Sequence, residues 1–158
     1  MITSPEEYSQ LSYAANDPNL ESITDFRIPT DEPVYEINLN TREVTIPEFL
    51  SVEQDHNAEV IWFKVDRFYD DYDLFGAACW IQYKNALKEE HIAIVYPKIL
   101  AESDHNVLYI PWPISRSVAA AAGKVEFSFQ FFRTSEDKQR VYYSLNTKPA
   151  VGKILHGF

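Results

Sequence analysis

The stretch EVIWFKVDRFYDDYDLFGAACWIQYKN, residues 59–85, has two runs rich in aromatic and β-branched side chains, joined by an acidic, tyrosine-rich connection. Such side chains favour strands, and short strands joined by polar turns are typical of antiparallel β-sandwiches. The first run, 59–66, predicts the strongest strand, and both of its faces begin apolar, which indicates a central position. The stretch therefore predicts two strands of a β-sandwich.

Alternation of apolar and polar residues continues through the rest of the body. Residues 34–39 and 43–46 flank an Asn40-Thr41 turn and predict a hairpin. Residues 115–123 combine a serine cap, an alanine run and a closing glycine, which predicts about two turns of helix. Further strands are expected at 77–83, 92–96, 107–110, 125–131, 141–145 and 151–155. Together these elements predict an all-β antiparallel sandwich, immunoglobulin-like or jelly-roll-like, with one short helix.

Residues 1–33 differ from the body, which we expect to span residues 34–158. The motif Ser-Pro-Glu-Glu at 4–7 is typical of a capping box and predicts a short helix over 5–15, and residues 20–33 predict an extended arm. Two interpretations of the arm remain open: a tail that is disordered or strapped along its own domain, or a clasp that grips a neighbouring subunit. The clasp is supported by apolar side chains that a solvated tail carries less often: Tyr8, Leu11, Tyr13, Leu20, Ile23, Phe26 and Ile28.

Composition narrows the class of protein. The 158 residues suit one domain, and the aromatic content of 15% is high enough to fill a core and an interface. The net charge of −10 argues against nucleic-acid binding, which needs a basic face.

The cysteine content and the N-terminus indicate where the protein is made. The lone Cys79 predicts an inert buried thiol in a reducing compartment. Without an export signal or an apolar run of about 18 residues, we expect a soluble chain made in the cytoplasm, with no membrane partner.

An acidic cluster, Asp66, Asp70, Asp71 and Asp73, is the first candidate for chemistry. Calcium prefers several carboxylate oxygens from one loop, but the spacing lacks the central glycine and the final glutamate of a helix-loop-helix calcium site. We therefore favour a solvated turn in which Arg67 neutralises part of the charge.

The other candidates for catalysis are weaker. The four histidines lie far apart in sequence, and no two have metal-ligand spacing. His56 and His105 each lie in an Asp-His-Asn motif, which is typical of a turn. No hydrolase, metalloprotease or phosphate-loop motif occurs. The sequence therefore predicts a protein that is not an enzyme, with no catalytic residue, metal site or cofactor.

Trp112, between two prolines and three residues after Tyr109, is the remaining candidate for a binding residue. It would stack with Tyr109 on a sugar ring, anchor a protein interface, or fill one end of the sandwich. Filling the sandwich is the favoured interpretation.

Several motifs follow one another in a single order along residues 41–157: IPEFLSV, DHNAE, VDRFYD, DL, IQYKNA, AAGKVEF and LNTKPA. In this order the chain resembles the N-terminal domain of upper baseplate proteins, and of related tail or head appendage proteins, of phages that infect Gram-positive bacteria. The resemblance implies a β-sandwich that docks on other virion proteins, with no cofactor and no reaction. In those baseplate proteins the domain precedes a long fibre, whereas this sequence stops at Phe158, which favours a capsid decoration or connector component.

The leading hypothesis is therefore a non-enzymatic capsid decoration (head auxiliary) protein, located in the virion, which docks on the shell through its N-terminal arm and sandwich edges. The alternatives are a baseplate or tail adaptor component and a carbohydrate-binding module for host attachment. Expected partners are the major capsid protein, or baseplate and tail proteins, together with further copies of the chain in an oligomer such as a trimer. The residues expected at interfaces are Tyr8, Leu11, Tyr13, Phe26, Ile28, Trp112, Phe132 and Tyr142.

Overall fold

A computed structural model describes residues 32–99, 105–135 and 140–157, which contain twelve strands and no helix. The strands are β1 (Val34–Asn38), β2 (Glu43–Val44), β3 (Ser51–Val52), β4 (Val60–Asp66), β5 (Phe68–Tyr69), β6 (Tyr72–Asp73), β7 (Ala78–Lys84), β8 (Glu90–Val95), β9 (Val107–Pro113), β10 (Gly123–Thr134), β11 (Val141–Asn146) and β12 (Ala150–Leu155). The helix predicted over 5–15 and most of the predicted arm lie outside the described residues.

Four strands form the first sheet, sheet A, in the order β2-β1-β4-β9. β1 and β2 form the predicted antiparallel hairpin, with Ile37 opposite Val44. β4 lies between β1 and β9, which confirms the central position that its two apolar faces indicated. Its pairing with β1 is parallel, so the sheet is mixed and not purely antiparallel.

The second sheet, sheet B, has the order β3-β12-β10-β7-β8, with β11 also paired to β10. β10 is twelve residues long and organises this sheet. One of its edges binds β7 along seven residue pairs, while the other binds β12 near the start of β10 and β11 near its end. β12 pairs with β3 in parallel.

The two sheets enclose an aromatic core. The inward side chains of β7 and β10 are those of odd-numbered residues, and they pack against the inward side chains of sheet A. Phe63 on β4 contacts Phe129 on β10 with ring centres 4.8 Å apart, and Trp112 on β9 contacts Phe127 at 5.0 Å. Such tilted contacts suit the charge distribution of aromatic rings. The predicted all-β sandwich is therefore confirmed.

The helix predicted over residues 115–123 is wrong. This segment forms turns, and its backbone makes one helical bond, from Ala119 N–H to the Ser115 carbonyl at 3.0 Å. The carbonyl groups of Ala119 and Ala120 then accept hydrogen bonds from the backbone and the side chain of Gln54, both at 2.7 Å. Val118 and Ala119 are buried in the core. Tertiary contacts therefore override the helical preference of the alanine run.

Asn85 connects this turn to the sandwich. It is buried at the end of β7, and its Oδ1 accepts hydrogen bonds from the backbone N–H groups of Leu87 and Glu89, at 3.1 and 3.0 Å. Its Nδ2 donates to the Ser117 carbonyl at 2.9 Å. One side chain therefore shapes the connection between β7 and β8 and binds it to the neighbouring turn.

Cys79 is buried on the inward face of β7. Burial raises the pKa of its thiol well above the ordinary value, because the thiolate loses its hydration. The predicted burial of the thiol is therefore confirmed. Within the described part of the chain, we find no helix with the length and apolar character to span a bilayer.

Candidate interaction surface

The connection between β4 and β7 folds into the small hairpin β5–β6, and we call residues 67–75 the aromatic hairpin. Phe68, Tyr72 and Phe75 are 49, 40 and 43% exposed, although large aromatic rings are usually mostly buried. The hairpin therefore presents large apolar side chains to solvent.

Arg67 organises the aromatic hairpin. Its Nε and Nη2 donate to the two carboxylate oxygens of Asp73, at 2.9 and 3.0 Å. Its guanidinium carbon also lies 5.1 Å from the ring centre of Phe68 and 5.3 Å from that of Phe75. Two parallel bonds to one carboxylate fix the plane of a guanidinium, and a cation attracts the face of an aromatic ring. Arg67 therefore holds two exposed rings in place.

The ion pair changes both pKa values. The hydrogen bonds from Arg67 lower the pKa of Asp73, and its burial, which acts in the opposite direction, is the smaller effect. The same bonds raise the pKa of Arg67. The backbone N–H of Phe75 also donates to Asp73 Oδ1, at 3.0 Å. The prediction that Arg67 neutralises part of the acidic cluster is confirmed.

Further contacts fix the aromatic hairpin to the sandwich. Leu74 is fully buried in the core. The hydroxyl of Tyr143, on β11, donates to the Asp73 carbonyl at 3.2 Å. Nη2 of Arg133, on β10, donates to the Phe75 carbonyl at 2.8 Å. The backbone that carries the exposed rings is therefore bound to both strands of the β10–β11 pair, at the point where Arg133 lies opposite Tyr143.

This arrangement suits the binding of another protein. Aromatic side chains and arginine are enriched at the centres of protein interfaces. Rings that are already held in one orientation lose little conformational freedom on binding, which lowers the cost of association. The chemistry offered here is apolar contact with a fixed shape.

Two edge strands of sheet B offer backbone groups as well. Among the described strands, β8 is bonded to β7 alone and β11 to β10 alone. Ile92 on β8 and Tyr142 on β11 are both well exposed. An exposed edge can accept a strand of another chain, with side-chain pockets that add specificity. β8 and β11 are therefore the described strands through which the predicted docking at sandwich edges could occur.

The outer face of sheet B also carries a groove of about 500 Å³. Its lining includes Gln82, Lys84, Glu90, Ile92, Glu126 and Pro149. Charges of both signs line it, so the groove differs in character from the apolar aromatic hairpin.

The structure places the predicted interface residues in different settings. Trp112 is 1% exposed, so it fills the core, as the favoured interpretation expected, and is not available at the surface for a sugar. Phe132 is fully buried on the outer face of sheet B, beside Trp80. Tyr142 is 59% exposed. The predicted arm residues lie outside the described residues: Tyr8, Leu11, Tyr13, Phe26 and Ile28. The interface roles of all these residues stay predictions.

Within residues 32–99, 105–135 and 140–157, no group of three or more histidine, cysteine, aspartate or glutamate side chains is arranged to hold a metal ion.

His56 connects two loops of the sandwich. Nδ1 of His56 accepts a hydrogen bond from the backbone N–H of Arg116 at 3.0 Å. This bond joins the polar loop before β4 to the turn after β9.

The three exposed rings of the aromatic hairpin were not predicted from the sequence. Residues 66–73 were interpreted as a solvated acidic turn, because four of these eight residues are aspartates. One signal of the hairpin was present in the sequence. Arg67 and Asp73 flank the five residues Phe-Tyr-Asp-Asp-Tyr, a spacing close to that of a tight hairpin with a charge pair at its base.

The sequence matches no protein-family model and no curated protein. Among solved structures, the chain is similar to the N-terminal domain of phage TP901-1 ORF48, with a TM-score of 0.45 and 11% sequence identity. The match covers 78% of this chain and 97% of that chain.

Proposed function

We propose that this chain is a non-enzymatic structural protein of a tailed-phage virion, which binds other virion proteins. The observation that carries its binding role is the aromatic hairpin, in which Arg67 and Asp73 hold Phe68 and Phe75 at the surface. The link to a virion rests on the ordered motifs along residues 41–157, which resemble those of phage appendage proteins.

The finer proposal is capsid decoration. In this role the aromatic hairpin and the edge strands β8 and β11 bind the major capsid protein, and copies of the chain form an oligomer such as a trimer. A baseplate or tail adaptor component would use the same surfaces on a different partner. The sugar-binding alternative relied on Trp112 to stack on a sugar ring, and Trp112 lies in the core.

Electron microscopy of phage particles with gold-labelled antibody against the chain tests the proposal. Label distributed over the head supports capsid decoration. Label at the tail tip overturns decoration in favour of the baseplate or tail role. Purified particles that carry none of the chain overturn the virion assignment altogether. Light scattering of the purified chain measures the oligomer directly, and a monomer at all concentrations contradicts the trimer.

A pair of surface variants tests the role of the aromatic hairpin. Phe68→Ser combined with Phe75→Ser should reduce incorporation into particles, because it removes the two rings that Arg67 holds. Leu87→Ser is the matched control, since Leu87 is also exposed but lies in the connection between β7 and β8. Equal incorporation of both variants, with circular dichroism showing intact folds, would remove the aromatic hairpin from the binding surface.

A further inference from the structure

Two lysines lie opposite each other at the start of β10. The strand register pairs Lys124 on β10 with Lys153 on β12, and both side chains are exposed. Their strand neighbours Val125 and Ile154 belong to the core, so the two lysines point to the outer face of sheet B. Like charges placed directly opposite each other on a sheet are destabilising. A bound negative group would relieve this repulsion.

The two lysines are not neutralised by carboxylates of the described residues. Neither lysine forms an ion pair within residues 32–99, 105–135 and 140–157. Glu126, the next outward residue of β10, lies opposite Lys84 on β7 and is therefore next to a different lysine. The carboxylate of Glu53, after β3, accepts hydrogen bonds from the backbone N–H groups of Ala122 and Gly157, at 3.2 and 3.0 Å. The lysine pair is therefore open to a negative group of another molecule.

Apolar side chains flank the lysine pair. Val151 and Leu155, two residues to either side of Lys153 along β12, are both 42% exposed. Side chains two residues apart on a strand share one face, so these two lie beside the lysines. We call these four residues the lysine strip: Lys124, Val151, Lys153 and Leu155. The lysine strip suits a partner that offers carboxylates and apolar rings together.

The aromatic hairpin offers that combination. Its turn consists of Asp70 and Asp71, which are both exposed and form no ion pair within the described part of the chain. Phe68 and Tyr72 lie within two residues of this turn and expose their rings. Two carboxylates beside aromatic rings are the complement, in charge and in polarity, of two lysines beside aliphatic side chains.

The aromatic hairpin and the lysine strip lie too far apart to meet within one chain. Nη2 of Arg133, near the end of β10, donates to the Phe75 carbonyl of the hairpin at 2.8 Å. Lys124 lies at the other end of β10, which is twelve residues long. At about 3.3 Å per residue, the two ends of such a strand are on the order of 30 Å apart. A contact between hairpin and strip therefore joins two copies of the chain.

We propose that the aromatic hairpin of one copy of this chain docks on the lysine strip of another copy. The carboxylates of the hairpin turn lie beside the two lysines, and the exposed rings cover Val151 and Leu155. Because two different surfaces meet, the contact is head-to-tail, and it repeats from copy to copy until a ring closes.

This inference rests on the proposed function, in which the aromatic hairpin is a binding surface and copies of the chain form an oligomer. It assigns the hairpin to the contact between copies. The edge strands β8 and β11 are then left for the major capsid protein.

Charge reversal on the full chain tests the proposal. Lys124→Glu combined with Lys153→Glu should weaken self-association at least about tenfold, because like charges then face each other across the contact. Asp70→Lys combined with Asp71→Lys should have the same effect, whereas a general effect of net charge would change association in opposite directions for the two pairs. All four substitutions together restore the attraction and should recover most of the affinity. Sedimentation velocity over a range of concentrations measures each constant.

Lys88→Glu combined with Arg140→Glu is the matched control, since both residues are exposed, lie outside the lysine strip and change the net charge equally. It should leave self-association unchanged, with circular dichroism to check every fold. A folded variant of the lysine strip that associates as well as the unaltered chain overturns the proposal. So does an unaltered chain that stays monomeric at every concentration, or a folded fourfold variant that is as weak as either pair alone.

Photochemical crosslinking tests the contact without any change of charge, and it decides if a charge variant unfolds. Phe68 is replaced by p-benzoylphenylalanine, and unlabelled and ¹⁵N-labelled chains are mixed so that mass spectrometry recognises crosslinks between copies. We expect crosslinks from the aromatic hairpin of one copy to residues 150–155 of another. Crosslinks between copies that map elsewhere overturn the proposal, and so does the absence of crosslinks between copies.

The inference and the proposed function fail separately, because one concerns self-association and the other concerns incorporation into particles. Suppose that Phe68→Ser with Phe75→Ser loses incorporation while the lysine-strip variant incorporates fully. The hairpin then binds another virion protein, and the inference is wrong while the proposed function stands. If the chain self-associates through these surfaces but purified particles contain none of it, the inference stands and the virion assignment is wrong.

Discussion

Phe132→Ala should cost as much stability as a substitution in the core, although the side chain lies on the outer face of a sheet. Phe132 is fully buried and its ring contacts that of Trp80. Removing an enclosed phenylalanine ring costs about 3–5 kcal/mol of unfolding free energy, through lost apolar burial and the cavity that remains. Phe49→Ala is the control, since Phe49 is 41% exposed, and should cost less than about 1 kcal/mol.

Urea unfolding, followed by far-ultraviolet circular dichroism, measures the difference. With a slope of about 2 kcal/mol/M, the midpoint for Phe132→Ala should fall by about 1.5–2.5 M, and that for Phe49→Ala by less than about 0.5 M. A domain with the usual stability of about 5–15 kcal/mol survives either change. Equal midpoints for the two variants would refute the reasoning, because they would show that Phe132 contributes no more to stability than an exposed ring.

Other predictions concern the ion pair, a buried amide and a glycine. Because its bonds to Arg67 lower the folded-state pKa of Asp73, that stabilisation is present above the unfolded pKa of about 3.9 and is lost as pH falls through the folded value. The difference in urea midpoint between the unaltered chain and Asp73→Asn should therefore be present at neutral pH and disappear in acid. A difference that does not change with pH contradicts the stabilisation of Asp73 by Arg67. Asn85→Ala should cost about 2–3 kcal/mol, measured by urea unfolding, because it leaves backbone N–H groups of a tight connection without their acceptor; a loss below about 0.5 kcal/mol would show that the connection holds without it. Gly152→Ala should destabilise by about 1–3 kcal/mol, because the added Cβ would lie 2.6 Å from Leu50 Cδ1, and a smaller residue at Leu50 should recover part of the loss. Additive losses in that double variant would show that the two sites are independent.

The long strands were predictable because their pattern repeats. Residues 125–131 were expected as a strand from several alternations of apolar and polar residues, and they form most of β10. Residues 59–66 were expected as a strand from their aromatic and β-branched side chains, and they contain β4. β3, β5 and β6 were missed because a two-residue strand has no period. The parallel pairing of β1 with β4 was also missed, since strand partners depend on contacts between distant residues.

The candidate surface was harder to predict than the fold. Phe68 and Phe75 are the same residue type as the buried Phe63 and Phe127, so composition alone does not separate an exposed ring from a core ring. The exposed Phe68 and Phe75 differ from the core rings because they lie against the guanidinium of Arg67. This contact exists only once the hairpin has formed. The wrong helix at 115–123 has a related cause, because the burial of Val118 and Ala119 is a property of the whole sandwich.

The bracing of the aromatic hairpin by Arg67 has a consequence for the heat of association. Two aromatic faces that are already oriented bind mainly by shedding water, so calorimetry of a complex formed here should show a negative change in heat capacity. The affinity should also depend on ionic strength, because Arg67 is paired with Asp73 while the exposed Asp70 and Asp71 lie at the turn of the same hairpin.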